Sequence, residues 1–236
     1  MNKKKILILG GSSDIGVEVI KKFLLNGWEI LAHYNKNKKV FDNFNSKKIE
    51  KFKFDLRKIN KFESFVKKSK IFNNINAYVS LIGYEKPCEF KNITIKEVNN
   101  HINANYLSNL IILKKILPKM KLKNFGRVLL TSSTGVKFGG GKKTILYSLS
   151  KFMNEFFFSS YKEYYNKNVY INVLKIGVTN TKIHKNIKGK NLKKRVNLVP
   201  IKRMASTKEV ANYIYHYASE KNSLTTKQVI DITGGE

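Results

Sequence analysis

The sequence predicts an α/β fold, one doubly wound domain over residues 1–236 with a parallel sheet of about seven strands and helices on both faces. Three observations predict it. Short apolar runs alternate with segments of helical periodicity along the whole chain. The first run, "KILILGG" at 5–11, ends in glycines that lead straight into a helix. No repeat or low-complexity linker divides the 236 residues, a length that one sheet can accommodate.

The elements follow in order. "KILIL" is apolar without alternation, as a strand covered on both faces must be. From Asp14 to Leu25 the apolar residues Ile15, Val19, Ile20 and Phe23 recur at helical spacing, and Gly27 supplies a stop. "WEILAHY" is the second strand, "KKIEKFKFDL" the third, "INKFESFVKKSKIF" a helix and "INAYVSLIG" the fourth strand. A long helix over 94–122 is expected to break in two around Asn103 to Tyr106. Then come the strand "GRVLLTSS", a helix beginning near Leu146, the strand "VYINVLKIG", the helix "TKEVANYIYHYASE" and a last strand in "KQVIDITGG".

Composition narrows the function classes. A hydrophobic fraction of 42% with 15 Phe and 12 Tyr excludes a disordered chain. The formal charge of +30 would attract polyanions, but arginine occurs only at 57, 127, 195 and 203 while lysine is spread everywhere. That pattern reads as a lysine bias and not as a nucleic-acid surface, which clusters arginine in local patches. Cys88 is the single cysteine, which excludes an intrachain disulfide and fits a reducing cytoplasm. The run Ile6 to Leu9 is too short for a signal peptide, and no window of about 20 apolar residues spans a membrane. His33, His101, His184 and His216 lack ligand spacing, so no metal site is expected.

Chemistry concentrates at two places. The first turn reads Gly10-Gly11-Ser12-Ser13-Asp14-Ile15-Gly16, with glycines that let backbone amides approach a pyrophosphate at a helix N-terminus. It is the longer G-x-x-x-G-x-G spacing, with Asp14 where the middle glycine would stand. In "YSLSK" Tyr147 and Lys151 are four apart, one helical turn on one face. Free tyrosine titrates near about 10. A neighbouring ammonium favours phenolate and would bring it toward a useful acid–base range.

These pieces, in this order, resemble the classical short-chain dehydrogenase/reductase family from Gly10 to Gly235, including its 3-oxoacyl-acyl-carrier-protein reductase-like members. The resemblance implies a Rossmann-type oxidoreductase that transfers a hydride between a nicotinamide cofactor and a carbonyl or alcohol. It assigns the catalytic set Asn105, Ser133, Tyr147 and Lys151, with Ser132 the alternative serine. Tyr147 is the proton donor and acceptor and Lys151 its activator. Lys151 also binds the nicotinamide ribose, and Asn105 holds a water that relays protons. The cofactor set it implies is Gly10, Ser12, Ser13, Asp14, Ile15, Gly16, Tyr34, Asn35, Lys36, Asp55, Leu56, Gly83, Tyr147, Lys151, Gly177, Val178 and Thr181. The family's N-N-A-G is replaced by Ser80-Leu81-Ile82-Gly83, and the proline expected before Gly177 is Ile176.

At the end of the second strand an acid would favour NAD(H). Tyr34 occupies that position with Asn35 and Lys36 behind it, so NADP(H) is expected. In relatives residues 178–200 cover the substrate. Here 179–195 carry no acid and many lysines, among them Lys193 and Lys194, which suits an anionic substrate such as a nucleotide-sugar diphosphate or the phosphopantetheine arm of an acyl carrier protein. His184, in the same segment, reads as a surface residue. A surface-glycan or nucleotide-sugar oxidoreductase is the alternative enzyme, and a non-catalytic dinucleotide- or polyanion-binding protein the alternative of another class. The resemblance further implies a homo-oligomer, dimer or tetramer, paired through helices around 100–120 and 147–165, with no membrane partner.

Overall fold

A computed structural model describes residues 4–44, 46–182 and 192–236. Seven parallel strands form one sheet: β1 (Lys5–Leu9), β2 (Glu29–Tyr34), β3 (Ile49–Lys53), β4 (Ala77–Ser80), β5 (Gly126–Ser133), β6 (Val169–Ile176) and β7 (Val229–Ile232). Their order is β3-β2-β1-β4-β5-β6-β7. The chain winds one way from β1 to β3 and the other way from β4 to β7. A crevice therefore opens between β1 and β4 at the carboxyl ends of the strands, where such sheets bind ligands.

The helices are α1 (Asp14–Leu25), α2 (Ile59–Lys68), α3 (Ile95–Ile102), α4 (Ser108–Leu122), α5 (Ile145–Phe152), α6 (Lys162–Tyr165), α7 (Leu192–Asn197) and α8 (Thr207–Tyr217). On one face of the sheet, Phe62 and Val66 of α2 and Ile112, Leu113, Ile116 and Met120 of α4 are buried in one apolar cluster. On the other, Val19, Ile20 and Phe23 of α1 meet Val210, Ala211 and Ile214 of α8. Each fully buried aliphatic or phenyl side chain here contributes about 1.5–3 kcal/mol. Ser13 caps α1, and Ser206 with Glu209 forms a capping box on α8. Among the described residues no helix is long and apolar enough to cross a membrane.

Two of the expected helices are irregular. The helix over 94–122 divides where expected, but not by a loop: a π turn, Asn103–Leu107, joins α3 to α4. Such a turn accommodates an extra residue while its backbone stays hydrogen-bonded. The helix expected over 147–165 is interrupted. After α5 come a short 3₁₀ turn, Met153–Glu155, an extended stretch over Phe156 and Phe158, and a second turn, Ser159–Tyr161, before α6. Phe157 and Phe158 pack against the core in that stretch. Burying these aromatics outweighs their modest helix propensity.

Candidate active site

The glycine turn at the end of β1 is closed from within. Ser13 Oγ donates to the Gly10 carbonyl at 2.8 Å and accepts the Gly16 amide at 3.0 Å. Gly10 sits at φ +82°, and a Cβ on Gly16 would lie 2.5 Å from the Gly10 oxygen. Only glycine fits either position. Ser12 and Ile15 are half-buried beside the first turn of α1, whose opening amides have no partners within the helix. Asp14 does not point its charge at that opening alone: Oδ2 accepts the backbone amide of Lys182 at 2.7 Å, tying the turn to the segment after β6.

His33, not expected to have a role, supports this turn. Its Nδ1 accepts the Gly10 amide at 3.2 Å, and its Nε2 donates to the Phe54 carbonyl at 2.9 Å. Burial lowers its pKa from 6.5 to about 4, so the ring is neutral. Its position at the end of an apolar strand was the available signal.

Past β2, Tyr34 meets Phe41 edge-on at 5.8 Å, Asn35 is half-buried and Lys36 is exposed. Asp55 forms a bidentate pair with Arg57, Oδ1 to Nε at 2.9 Å and Oδ2 to the guanidinium at 2.7 Å. This pair holds the carboxyl below the usual carboxylate range. Leu56 is buried in the apolar core cluster.

At the crevice itself, β5 delivers two serines to different surroundings. Ser132 is buried and donates to Glu155 Oε1 at 2.5 Å, and Glu155 in turn pairs with Lys175 at 3.3 Å. Ser133 is half-buried, its Oγ accepts the Gly135 amide at 3.2 Å, and its hydroxyl lies close enough to Tyr147 to act on the phenol. The structure thus brings together Ser133 and Tyr147, and leaves Ser132 in an ionic network between strands.

Lys151 lies beneath them. Its Nζ donates to the Ile82 carbonyl at 3.0 Å and to Thr131 Oγ1 at 2.9 Å, and the Thr131 hydroxyl donates onward to the Ser80 carbonyl at 2.7 Å. These bonds join β5 to the Ser80-Leu81-Ile82-Gly83 turn that departs from the family pattern. Burial lowers the Lys151 ammonium to about 7. Burial first and the charge of Glu85 second push the Tyr147 phenol up, and the neighbouring Ser133 hydroxyl only partly opposes them. The reason is desolvation, which disfavours both the phenolate and the ammonium that would stabilise it.

Asn105, carried inward by the π turn, is fully buried. Its Oδ1 accepts the Tyr84 amide at 2.7 Å, and its Nδ2 donates to the Tyr84 carbonyl at 2.9 Å and to Ser150 Oγ at 2.9 Å. Ser150 Oγ donates to the Tyr147 carbonyl at 2.9 Å. The Asn105 carbonyl accepts from Asn109 and Asn154, both at 3.0 Å. The Asn105 side chain clamps the irregular segment following Gly83 against the helix that bears Tyr147. No spacing in the sequence announced Ser150 or Asn154 as partners of Asn105, or Thr131 as the partner of Lys151.

On the far side Gly177 packs against Thr233, where an added Cβ would lie 2.7 Å from the Thr233 Cα. Val178 is buried, and Thr181 Oγ1 donates to the Thr179 carbonyl at 3.3 Å. Of the expected substrate segment, residues 183–191, with His184, lie outside the described residues. Lys193 and Lys194 lie on α7.

The donor set fits a dinucleotide: a glycine turn that a Cβ would fill, an adjoining helix N-terminus, and a buried lysine, a phenol and a serine at the strand ends. Comparison with known proteins agrees. A family model described as short chain dehydrogenase matches residues 4–192. The 3-oxoacyl-[acyl-carrier-protein] reductase FabG of Buchnera aphidicola subsp. Schizaphis graminum is 26% identical over 239 residues, covering 100% of this chain and 88% of that protein. The acetoacetyl-CoA reductase of Cupriavidus necator is 21% identical over 246 residues, covering 100% and 98%. A solved structure titled ElxO with NADP bound superposes with a TM-score of 0.85 at 25% identity, covering 99% of this chain and 98% of that one.

Proposed function

Because this chain belongs to the short chain dehydrogenase family, an oxidoreductase family that binds a nicotinamide cofactor and acts on carbonyl and alcohol groups, we propose that it is an NADP(H)-dependent carbonyl reductase. Its proposed substrates are 3-oxoacyl thioesters borne on an acyl carrier protein. The observation that carries the reading is the gathering of Ser133, the Tyr147 phenol on which it acts, and the buried Lys151, whose Nζ donates to Thr131 of the same strand as Ser133. A purely binding protein has no need of these three groups at one strand end.

Gly10, Gly16 and the first turn of α1 would hold the pyrophosphate, Asp55 and Leu56 the adenine by side chain and backbone respectively, and Lys151 the nicotinamide ribose. Gly83, Gly177, Val178 and Thr181 would border the same cofactor. The bound nicotinamide supplies the hydride. Tyr147 holds the proton on its phenol oxygen and passes it to the carbonyl oxygen as charge develops there, a task worth typically 10²–10⁴-fold in rate. Ser133 Oγ orients that oxygen. Asn105 keeps α5 in place through Ser150. The cationic nicotinamide would lower the phenol toward the range in which it can give and take a proton.

NADP(H) is favoured over NAD(H) by Tyr34, Asn35 and Lys36, a trio without the acid that would repel a 2′-phosphate, and by the NADP held in ElxO. The substrate class rests on the names of the similar reductases and on the basic surface, which suits an acidic carrier. A homo-oligomer is supported by the exposed Leu149, Phe152 and Phe156, beside a cavity of about 320 Å³ lined by Tyr106, Phe152, Met153, Glu155 and Phe156. Cytoplasmic residence fits the single cysteine.

The experiment is a fluorescence titration of wild type and Tyr147→Phe with NADPH and NADH, followed by turnover of 3-oxoacyl thioesters. NADPH-selective binding by both proteins and turnover by wild type alone is the expected result. Absence of saturable binding by wild type would refute the reading.

A further inference from the structure

The pairing of β4 with β5 runs as far as Val79 and Leu129. Beyond that point a side chain continues the connection. Thr131 follows Val128, Leu129 and Leu130 on β5 and ends their apolar run with a residue only 3% exposed. A hydroxyl so deeply placed must be satisfied from within the protein. It has two partners: Thr131 Oγ1 donates to the Ser80 carbonyl at 2.7 Å and accepts from Lys151 Nζ at 2.9 Å.

A threonine hydroxyl has one hydrogen and two lone pairs. With the hydrogen committed to Ser80, only a lone pair is left for the lysine. The other partner of Nζ, the Ile82 carbonyl at 3.0 Å, is likewise an acceptor. Both favour the charged form, since a hydrogen bond from an ammonium is roughly twice as strong as one from a neutral donor. Burial acts in the opposite sense. The two acceptors engage two of the three ammonium hydrogens and leave one for a bound ligand.

We infer that Thr131 is a positioning residue for the reaction: with its own hydrogen held by Ser80, it keeps Lys151 charged and fixed at the end of β5, where that ammonium would meet the nicotinamide ribose. The inference rests on the reductase reading and adds to it a residue that acts only through Lys151. The ionisable groups on the surrounding elements have other engagements. Tyr147 stands one turn earlier on α5, and Glu85 acts on its phenol. Glu155, in the turn after α5, accepts from Ser132 and pairs with Lys175 of β6, which also meets Asp231 at 3.7 Å. On α3, Glu97 pairs with Lys86, and His101 Nδ1 donates to the Glu97 carbonyl at 2.7 Å. Burial pushes up the phenol of Tyr106 in the π turn, and Lys137, after β5, is exposed. Among the described residues none of these charges moves the Lys151 nitrogen, which burial alone lowers.

The test follows wild type, Thr131→Val and Thr131→Ser through the pH dependence of kcat/KM for a 3-oxoacyl thioester with NADPH. Valine keeps the branched shape and removes the acceptor. It also leaves the Ser80 carbonyl without its donor, a cost that denaturant unfolding records and that lowers activity alike at every pH. Loss of the acceptor lets Lys151 give up its proton earlier. The alkaline limb of the Thr131→Val profile should move down by about one to two pH units, an added loss of about ten- to a hundredfold above it. Thr131→Ser, which retains the hydroxyl, should follow the wild-type profile. An unmoved alkaline limb in Thr131→Val, at whatever height, overturns the inference. A wild type that reduces no 3-oxoacyl thioester counts against the reductase reading instead. An NMR titration of the lysine side chains, labelled with ¹³C at the ε carbon and with Lys151 assigned by its absence from Lys151→Met, then decides Thr131 separately. The Lys151 midpoint should fall by the same amount in Thr131→Val and hold in Thr131→Ser, and an unmoved midpoint overturns the role of Thr131.

Discussion

The imidazole of His33 accepts the amide hydrogen of Gly10 at 3.2 Å while donating to the Phe54 carbonyl at 2.9 Å, so a single neutral ring connects the ends of β1, β2 and β3 beneath the glycine turn. Protonation of Nδ1 would set two donors against each other. The unfolded chain takes up this proton below about pH 6.5, and the folded chain only near 4. The stabilising contribution is therefore complete above pH 6.5 and is lost as the pH falls toward 4, by roughly 3 kcal/mol in all. Denaturant unfolding of wild type and His33→Leu should show the gap between them shrinking by that order from pH 7 to pH 4. A gap independent of pH would show that His33 does not titrate as its burial requires.

Gly16 and Gly27 separate a packing requirement from a conformational one. A Cβ at Gly16 would meet the Gly10 oxygen at 2.5 Å, whereas Gly27, at φ +81°, has open space around it. Gly16→Ala should destabilise by about 1–3 kcal/mol or more and abolish NADPH binding, because the turn must open. Gly27→Ala should lose about 1 kcal/mol to its backbone alone and bind NADPH as wild type does. Thermal melts paired with nucleotide titrations check both. Retained NADPH affinity in Gly16→Ala would remove the turn from the binding site.

Much of the fold was legible because strand and helix signals agree here with burial. All seven strands fall inside the apolar runs that predicted them, and α1 begins and ends at Asp14 and Leu25. The π turn was legible only as an irregularity near Asn103, since one extra residue in a helix leaves no compositional mark. The interruption after α5 was hidden because Phe156, Phe157 and Phe158 are compatible with a helix until their packing is known. At the site, Tyr147 and Lys151 were visible through their spacing, and Ser133 over Ser132 through the family pattern. The state of those groups was not, because burial sets it. The upward push on Tyr147, the ammonium of Lys151 near about 7 and the presence of Glu85 all depend on three-dimensional surroundings. Asp14 looked like a lost glycine, and its bond to the Lys182 amide spans residues far apart in sequence.

If NADP(H) is selected at the end of β2 as proposed, an acid placed there should shift the choice toward NADH. Lys36 is exposed and Tyr34 half-buried against Phe41, so an acid at either place alters charge without opening the core. Tyr34→Asp combined with Lys36→Gln should weaken NADPH about tenfold or more and improve NADH. The NADPH effect of Lys36→Gln alone should fade at high salt, since an exposed charge is screened. Parallel titrations with the two nucleotides at low and high salt provide the check. Equal losses for both nucleotides would mean that the pair contributes to folding and not to selection.

Lys151 sets stability against activity. Its ammonium is buried and lowered from 10.5 to about 7, so the unfolded chain binds a proton between those values that the folded chain releases. Stability should accordingly rise with pH through that window, and below about 7 the full penalty remains. Lys151→Met removes the penalty of roughly 3–5 kcal/mol but leaves the Ile82 carbonyl without its donor, which returns about 1–3 kcal/mol. Thr131 still has the Ser80 carbonyl, so its hydroxyl is not stranded. The variant should therefore unfold at higher denaturant than wild type at pH 7, lose that advantage as the pH approaches 10.5, and reduce carbonyl substrates at least about a hundredfold more slowly. A variant less stable than wild type at pH 7 would show that the bonds to Ile82 and Thr131 outweigh desolvation. The ammonium would then be a structural strut, and its placement below Ser133 and Tyr147 would have no energetic cost for catalysis to justify.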